Sequence, residues 1–169
     1  WILSFNESHQ SGEIFPLGST TVTLSTTDIH FNETVVSFEV VVTDAELPVF
    51  TSMPSDIDLI AEAGLCSAMA EWESALGTDN CGVASIESDR QSGEHFDVGT
   101  TEVTFTITDD NGNSHQESIL ITVTDLELPV ITNLPPRVTV GTEPGICLGT
   151  TSWTTPDTSD NCGVATLVA

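Results

Sequence analysis

Four cysteines carry the most definite chemistry in this chain. Cys66 and Cys81 are separated by the same short interval as Cys147 and Cys162, and each pair brackets a tryptophan, Trp72 or Trp153. Four thiols allow three pairings. Pairing within each span is favoured, because a unit built to recur must close itself locally. A disulfide over a loop of this length contributes roughly 3 kcal/mol in the chain-entropy treatment. Zinc is the rival occupant, but the chain has no C-x-x-C motif and no histidine recurs in register with the cysteines. Disulfides in turn imply an oxidising, extracellular compartment.

Carboxylates offer a second chemistry. Asp44 and Glu46 recur as Asp125 and Glu127, and with Asp109, Asp110 and Asn113 they form acidic segments of the kind that supply oxygen ligands to calcium. Calcium is therefore the cofactor these residues could hold. The competing role is that Asp and Asn are turn formers and that charge keeps the chain soluble. The Asp109 to Asn113 run is not an EF-hand loop, and its first-copy counterpart reads Asp28-Ile29-His30-Phe31-Asn32. Asn6-Glu7-Ser8 and Asn32-Glu33-Thr34 fit the acceptor triplet for N-glycosylation, and Asn32 falls in a hairpin-turn position expected to be exposed. Ser and Thr are abundant enough for O-linked sugar, although strand-face Thr accounts for much of that content.

No enzyme site can be assembled from these residues. His9, His30, His95 and His115 fall at unrelated positions, without a nucleophile motif around any of them. The chain has 26 acidic residues against two basic ones, Arg90 and Arg137, and a net charge of -24. That balance excludes nucleic acid as a partner, since phosphate contacts need clustered Lys and Arg. It also disfavours anionic membranes, and no apolar run reaches the ~18 residues needed to cross a bilayer.

The elements that must position these residues come from an internal repeat. At an offset of 81, 33 of 88 overlapping positions are identical, with no insertion. Asp79-Asn80-Cys81-Gly82-Val83-Ala84 returns at 160–165, Thr43-Asp44 at 124–125, Glu46-Leu47-Pro48 at 127–129, and Trp72 at Trp153. Boundaries at the Thr-Asp-x-Glu-Leu-Pro segments divide the chain into a C-terminal half-unit (1–44), a complete unit (45–125) and an N-terminal half-unit (126–169). This suggests a window on a longer array.

Inside a unit the hydrophobic period is two. Val103, Phe105 and Ile107 alternate with Thr, and Ile119, Ile121 and Val123 repeat the pattern after the Asp110-Asn111-Gly112-Asn113 turn, a hairpin signature. Shorter strands are expected at 49–51, 57–61, 67–72 and 83–87, all antiparallel. The expected class is all-β, as tandem immunoglobulin-like sandwiches of about 81 residues. Trp72 and Trp153 are expected in the core, packed on the disulfides.

These motifs together resemble the hyalin repeat (HYR) family. The resemblance rests on Cys-x-Ala-x-x-x-Trp at 66–72, Asp-Asn-Cys at 79–81, Ser-Gly-x-x-Phe-x-Val-Gly-Thr-Thr-x-Val-Thr-Phe-Thr at 92–106, and Thr-Asp-x-x-Gly-Asn at 108–113. It implies extracellular, immunoglobulin-like modules of matrix, adhesion and surface proteins, often in tandem. Two further cysteines common in that family are replaced here by Met53 and by the His115-Gln116 region, so the family's second disulfide is absent.

The function expected on these grounds is structural: a filament, stalk or matrix fibre whose partners are neighbouring units of its own kind. The alternative is an adhesion or glycan- or receptor-binding module acting on other matrix or surface proteins, although no aromatic cluster forms a sugar platform. Residues 1–44 and 126–169 are complementary but overlap in one strand, so a continuous chain is a simpler route to assembly than strand complementation.

Overall fold

The computed structural model describes residues 1–163. It is all-β, with thirteen strands and no helix among the described residues. In chain order they are β1 (Ile2–Glu7), β2 (Gly18–Asp28), β3 (Glu33–Val42), β4 (Val49–Ser52), β5 (Ile57–Ile60), β6 (Ser67–Ala70), β7 (Leu76–Thr78), β8 (Val83–Ser88), β9 (Glu94–Asp97), β10 (Gly99–Asp109), β11 (Ser114–Thr124), β12 (Val130–Thr132) and β13 (Asp157–Ser159).

The longest strands are those with the clearest alternation. β10 buries Val103, Phe105 and Ile107 and turns the intervening Thr side chains away, while β11 does the same with Ile119, Ile121 and Val123. They pair in unbroken register from Gly99 opposite Val123 to Thr108 opposite Ser114. With β8 and β5 they make a four-stranded sheet in the order β5-β11-β10-β8. The pairs β4-β7 and β6-β9 form the facing layer. Between the layers lie Ala68, Ala70, Ala75 and Phe96 on one side and Val103, Phe105, Ile119, Ile121 and Val123 on the other. Trp72 joins this core as expected, its ring 6.1 Å from Phe96 and 6.4 Å from Phe105.

One pairing departs from the antiparallel expectation. β5 runs parallel to β11, with Ile57 opposite Ile121 and Leu59 opposite Val123. Only strands joined by a tight hairpin are forced to run antiparallel, and β5 reaches this edge from the other layer, so its direction is free.

The pairing recurs with the 81-residue offset. Ile2 sits opposite Asp28 as Val83 sits opposite Asp109, with a bulge at the same step, and Gly18 faces Val42 as Gly99 faces Val123. Val130 pairs with Ser159 as Val49 pairs with Thr78. What differs is cover. Ile119 is 3% exposed, whereas its counterpart Phe38 is 51% exposed, and Trp153 is 62% exposed where Trp72 is half-buried. Within residues 45–125 the two layers cover one another; among the described residues nothing equivalent covers the β1-β2-β3 face. Trp153 thus departs from its expected core position.

Candidate functional site

The cysteines and the recurring acids meet at the junctions between units. The hairpin joining β10 to β11 is built on Asp109, which is 2% exposed. Its carboxylate accepts the Asn111 N–H at 2.9 Å, the Asn113 N–H at 2.7 Å and the Asn113 side-chain amide at 2.7 Å. Burial alone would raise the Asp109 pKa, but hydrogen bonds from Asn113, Asn111 and Gly112 outweigh it and hold the carboxyl below its ordinary range. Asp28 does the same work in the first hairpin for His30 and Asn32, and its pKa is also lowered, chiefly by the Asn32 side chain. There Phe31 takes the positive φ, 67°, that Gly112 supplies in the second.

This hairpin reaches across to the preceding segment. Asn111 donates its amide to the Asp44 carboxylate at 3.1 Å, and Asn113 donates to the Asp44 carbonyl at 3.4 Å. Asp44 also caps the Glu46 N–H at 3.1 Å. Cys81 lies beside it, its own N–H bonded to Asp79 at 2.8 Å. Ligand atoms of Asp44, Asp79 and Cys81 fall within 4.8 Å of one another, the one such trio among the described residues. Burial first, then the charges of Asp44, Asp79 and Asp109, push the Cys81 thiol up and keep it protonated.

The next junction shows the same parts with the neighbouring unit in place. Asp125 caps the Glu127 N–H at 3.0 Å, and Asp160 caps Cys162 at 3.0 Å. Asn161 bridges back, donating to the Leu65 carbonyl at 2.8 Å and to Asp125 at 3.3 Å. Glu127 accepts the Gly64 N–H at 2.8 Å. Beside these contacts Cys66 and Cys162 form a disulfide, their Cα atoms 4.8 Å apart.

That bond corrects the expected pairing. Cys66 with Cys81, and Cys147 with Cys162, are not bonded; Cys81 and Cys147 are free thiols. The reason is the length of the sandwich. The Val98 N–H bonds the Cys66 carbonyl just before β10 begins, while the Asp110 N–H bonds the Gly82 carbonyl just after β10 ends. Twelve residue steps of about 3.3 Å separate these points, so the two thiols sit at opposite poles, roughly 40 Å apart, where a disulfide needs Cα atoms within about 7 Å. The short sequence spacing spans a unit, and the long one closes a junction.

The six acids expected to bind calcium are only partly brought together. Asp44 converges with Asp79, not with Glu46, and a protonated thiol is a poor companion for a hard cation. Asp109 is buried beneath its own turn, and Asp110 lies over Gly82, where a side chain would collide with it. Asp125 accepts from Asn161 and caps the Glu127 N–H, while the Glu127 carboxylate accepts the Gly64 N–H. Asn80, Asn161, Asp79 and Asp160 stand out in the sequence only as part of a repeated Asp-Asn-Cys triplet; in the structure Asp79 and Asp160 cap the cysteine that follows, Asn161 bonds across the junction, and Asn80 is exposed. Asn6 and Asn32 are exposed, and the Asn32 amide bonds Asp28 at 2.9 Å. His9 stacks near Phe15, His115 lies 3.5 Å from Glu117, and His30 and His95 are exposed elsewhere, so the histidines do not form a cluster.

Comparison with known proteins places this architecture. The HYR domain matches residues 43–123. These residues belong to the HYR domain family. Two proteins named hyalin share this likeness over nearly the whole chain: one from Strongylocentrotus purpuratus is 33% identical over 97% of the chain, and one from Lytechinus variegatus 35% identical over 96%. The chain spans 14% and 32% of their respective lengths. The mouse Sushi, von Willebrand factor type A, EGF and pentraxin domain-containing protein 1 is 30% identical over 65% of the chain, which covers 3% of that protein. In this HYR-type chain, the junction described above joins the residues that match the family to the unit that follows them.

Proposed function

We propose that this chain is a stretch of an extracellular structural protein in which HYR-type units run in series as a filament, stalk or matrix fibre. The observation that carries this reading is the Cys66–Cys162 disulfide, which fastens one unit to the next instead of closing either one. An isolated binding module has no need of such a bond. The hydrogen bonds that Asn161 donates and the Gly64 N–H bond that Glu127 accepts resist bending at the same place. The likeness to two hyalins supports the same class of protein, and a persistent disulfide suits an oxidising exterior. Exposed Asn6 and Asn32 are the positions at which N-linked sugar would be carried, and Asp44 with Asp79 is the place where calcium would bind.

The test is electron microscopy of the secreted material that contains this chain. Beads recurring at roughly 35–45 Å, the length of β10 plus its turns, along an unbroken fibre are the expected result. Isolated particles would overturn the serial reading and move the assignment to an adhesion or receptor-binding module.

A further inference from the structure

Trp72 packs on Phe96 and Phe105 and yet stays half-buried, because residues 71–75 pass from β6 to β7 without forming a strand. At the β8 edge of the four-stranded sheet this leaves a cleft of about 220 Å³, walled by Trp72, Ala75, Ile86, Glu87, Gln91 and Phe105. All of these residues lie inside the complete unit and none at a junction, so the two layers of one unit form the cleft without a neighbour.

Its walls are fixed by the fold. The Ser92 hydroxyl accepts the Trp72 N–H at 2.8 Å and donates to the Trp72 carbonyl at 3.0 Å, which holds the segment that carries the indole. Ala75 and Phe105 are buried and make the floor apolar. The rim is polar: Glu87 and Gln91 are exposed, with the hydroxyls of Ser74, Ser88 and Ser92 beside them. Ser88 donates to the Arg90 carbonyl at 2.6 Å, and Arg90 lies 3.8 Å from Glu94, so the Glu87 and Gln91 side chains keep no partner among the described residues. At the 81-residue offset Trp72, Gln91 and Ser92 return as Trp153, Gln10 and Ser11. The clamp on Trp72 accounts for the serine. No hydrogen bond among the described residues accounts for the glutamine.

These groups select a ligand class. An indole wall over an apolar floor takes C–H surface, while an amide beside a carboxylate donates to and accepts from neighbouring hydroxyls. Hydroxyls carried on a carbon ring meet both demands. Anionic ligands are repelled, since Glu87 faces them, neither arginine lines the cleft and the chain carries a charge of -24. An ammonium or guanidinium would pair with Glu87 but, having no acceptor, would leave the Gln91 amide N–H groups unmatched. The volume lies under the ~300 Å³ at which pockets for drug-sized molecules begin, so one ring fits and a second lies outside. A single indole serves one ring, without the aromatic cluster that an extended sugar platform needs.

We propose that this cleft is a binding site for one uncharged sugar ring, the terminal residue of a glycan, with Trp72 against its C–H surface and Glu87 and Gln91 on adjacent hydroxyls. The site is complete within one unit, so it stands whether or not units run in series.

The experiment is an NMR titration of the chain with the methyl glycosides of glucose, galactose, mannose, fucose and N-acetylglucosamine, read at the Trp72 indole N–H and the Gln91 side-chain amide. For a ligand of about a dozen non-hydrogen atoms, saturable shifts with a dissociation constant on the order of 1 mM are expected from at least one of them. Gln91→Ala should weaken that ligand about fivefold, the loss of one hydrogen bond. Because Gln91 is exposed, this variant should keep the parent's melting temperature, which shows that it folds. Glycosides that all leave both signals unmoved, or a glycoside that binds Gln91→Ala as tightly as the parent, would overturn the site. Shifts produced instead by argininamide, and abolished in about 0.5 M NaCl, would overturn it too and reassign the cleft to basic side chains.

Discussion

Ile119 and Phe38 occupy the same position on equivalent strands, yet one is 3% and the other 51% exposed, so truncating each to alanine asks whether the two sheets are covered differently. Ile119→Ala removes three carbons from a closed core. At about 0.8 kcal/mol per carbon the transfer loss is about 2.4 kcal/mol, and an unrelaxed cavity adds about 1 kcal/mol or more, giving roughly 3–4 kcal/mol. Phe38→Ala removes a whole phenyl ring, which inside a core costs about 3–5 kcal/mol, but a half-exposed ring loses only part of that transfer energy and opens to water without a cavity, so about 1–1.5 kcal/mol is expected. The larger deletion should therefore cost less. Amide hydrogen exchange reads the two sites separately, through the β10-β11 amides for Ile119 and the β2-β3 amides for Phe38. A loss of about 3 kcal/mol or more for Phe38→Ala, the cost of a closed core, would show that the β1-β2-β3 face is covered and would refute the reasoning that it is open.

Other outcomes follow from the junctions. Cys66→Ser should destabilise by about 4.7 kcal/mol, the chain-entropy value for a bridge spanning 96 residues, and Cys162→Ser equally, while Cys81→Ser leaves the urea midpoint unmoved. Equal losses for Cys66→Ser and Cys81→Ser would restore the within-unit pairing. Asp109 and Asp28 have folded pKa values below 3.8, so their contribution to stability is complete above that value and is lost as pH falls through the lower folded values. Acid also relieves repulsion in a chain of charge -24, so the comparison must be a difference: Asp109→Asn should melt earlier at pH 7, with the gap to the parent closing as pH falls below 3.8 and through the lowered folded value. Calcium at about 10 mM should raise the melting temperature by a few degrees, as about 1.4–2.7 kcal/mol of linkage does for a site of the affinity usual in extracellular modules. An unchanged temperature on adding chelator would leave Asp44 and Asp79 with their turn-capping and hydrogen-bonding roles alone.

Much of this fold is legible in the residues because its signals are local. The β10-β11 hairpin follows from Val103, Phe105 and Ile107 alternating with Thr, from the counterpart run Ile119 to Val123, and from the Asn111-Gly112 turn between them. The 81-residue offset returns intact as strand register, down to the bulge beside Ile2 and Val83. What was not legible is spatial. The short interval between Cys66 and Cys81 looks like a small loop, but the chain between them forms strands that carry it from one pole of the sandwich to the other. The parallel entry of β5 beside β11 has no sequence signature, since it depends on which edge is vacant once the hairpins have formed. Asp109 has the composition of a cation ligand and the position of a turn acceptor, and burial beneath Asn111 and Asn113 decides between them. The Asp-Asn-Cys triplet is visible as a repeat, but its role emerges only from the place of Asn161 on the carbonyl of Leu65 in the unit before it.

The claim that consecutive units are covalently fastened is tested most directly by pulling single chains from end to end, with and without reductant. The Cys66–Cys162 bond hides 96 residues from extension, so reduction should lengthen the fully stretched chain by roughly 350 Å, at about 3.6 Å per residue. A gain of only about 110 Å, the length that Cys66–Cys81 and Cys147–Cys162 bridges together would hide at the same extension per residue, would contradict the account and return each disulfide to the interior of its own unit.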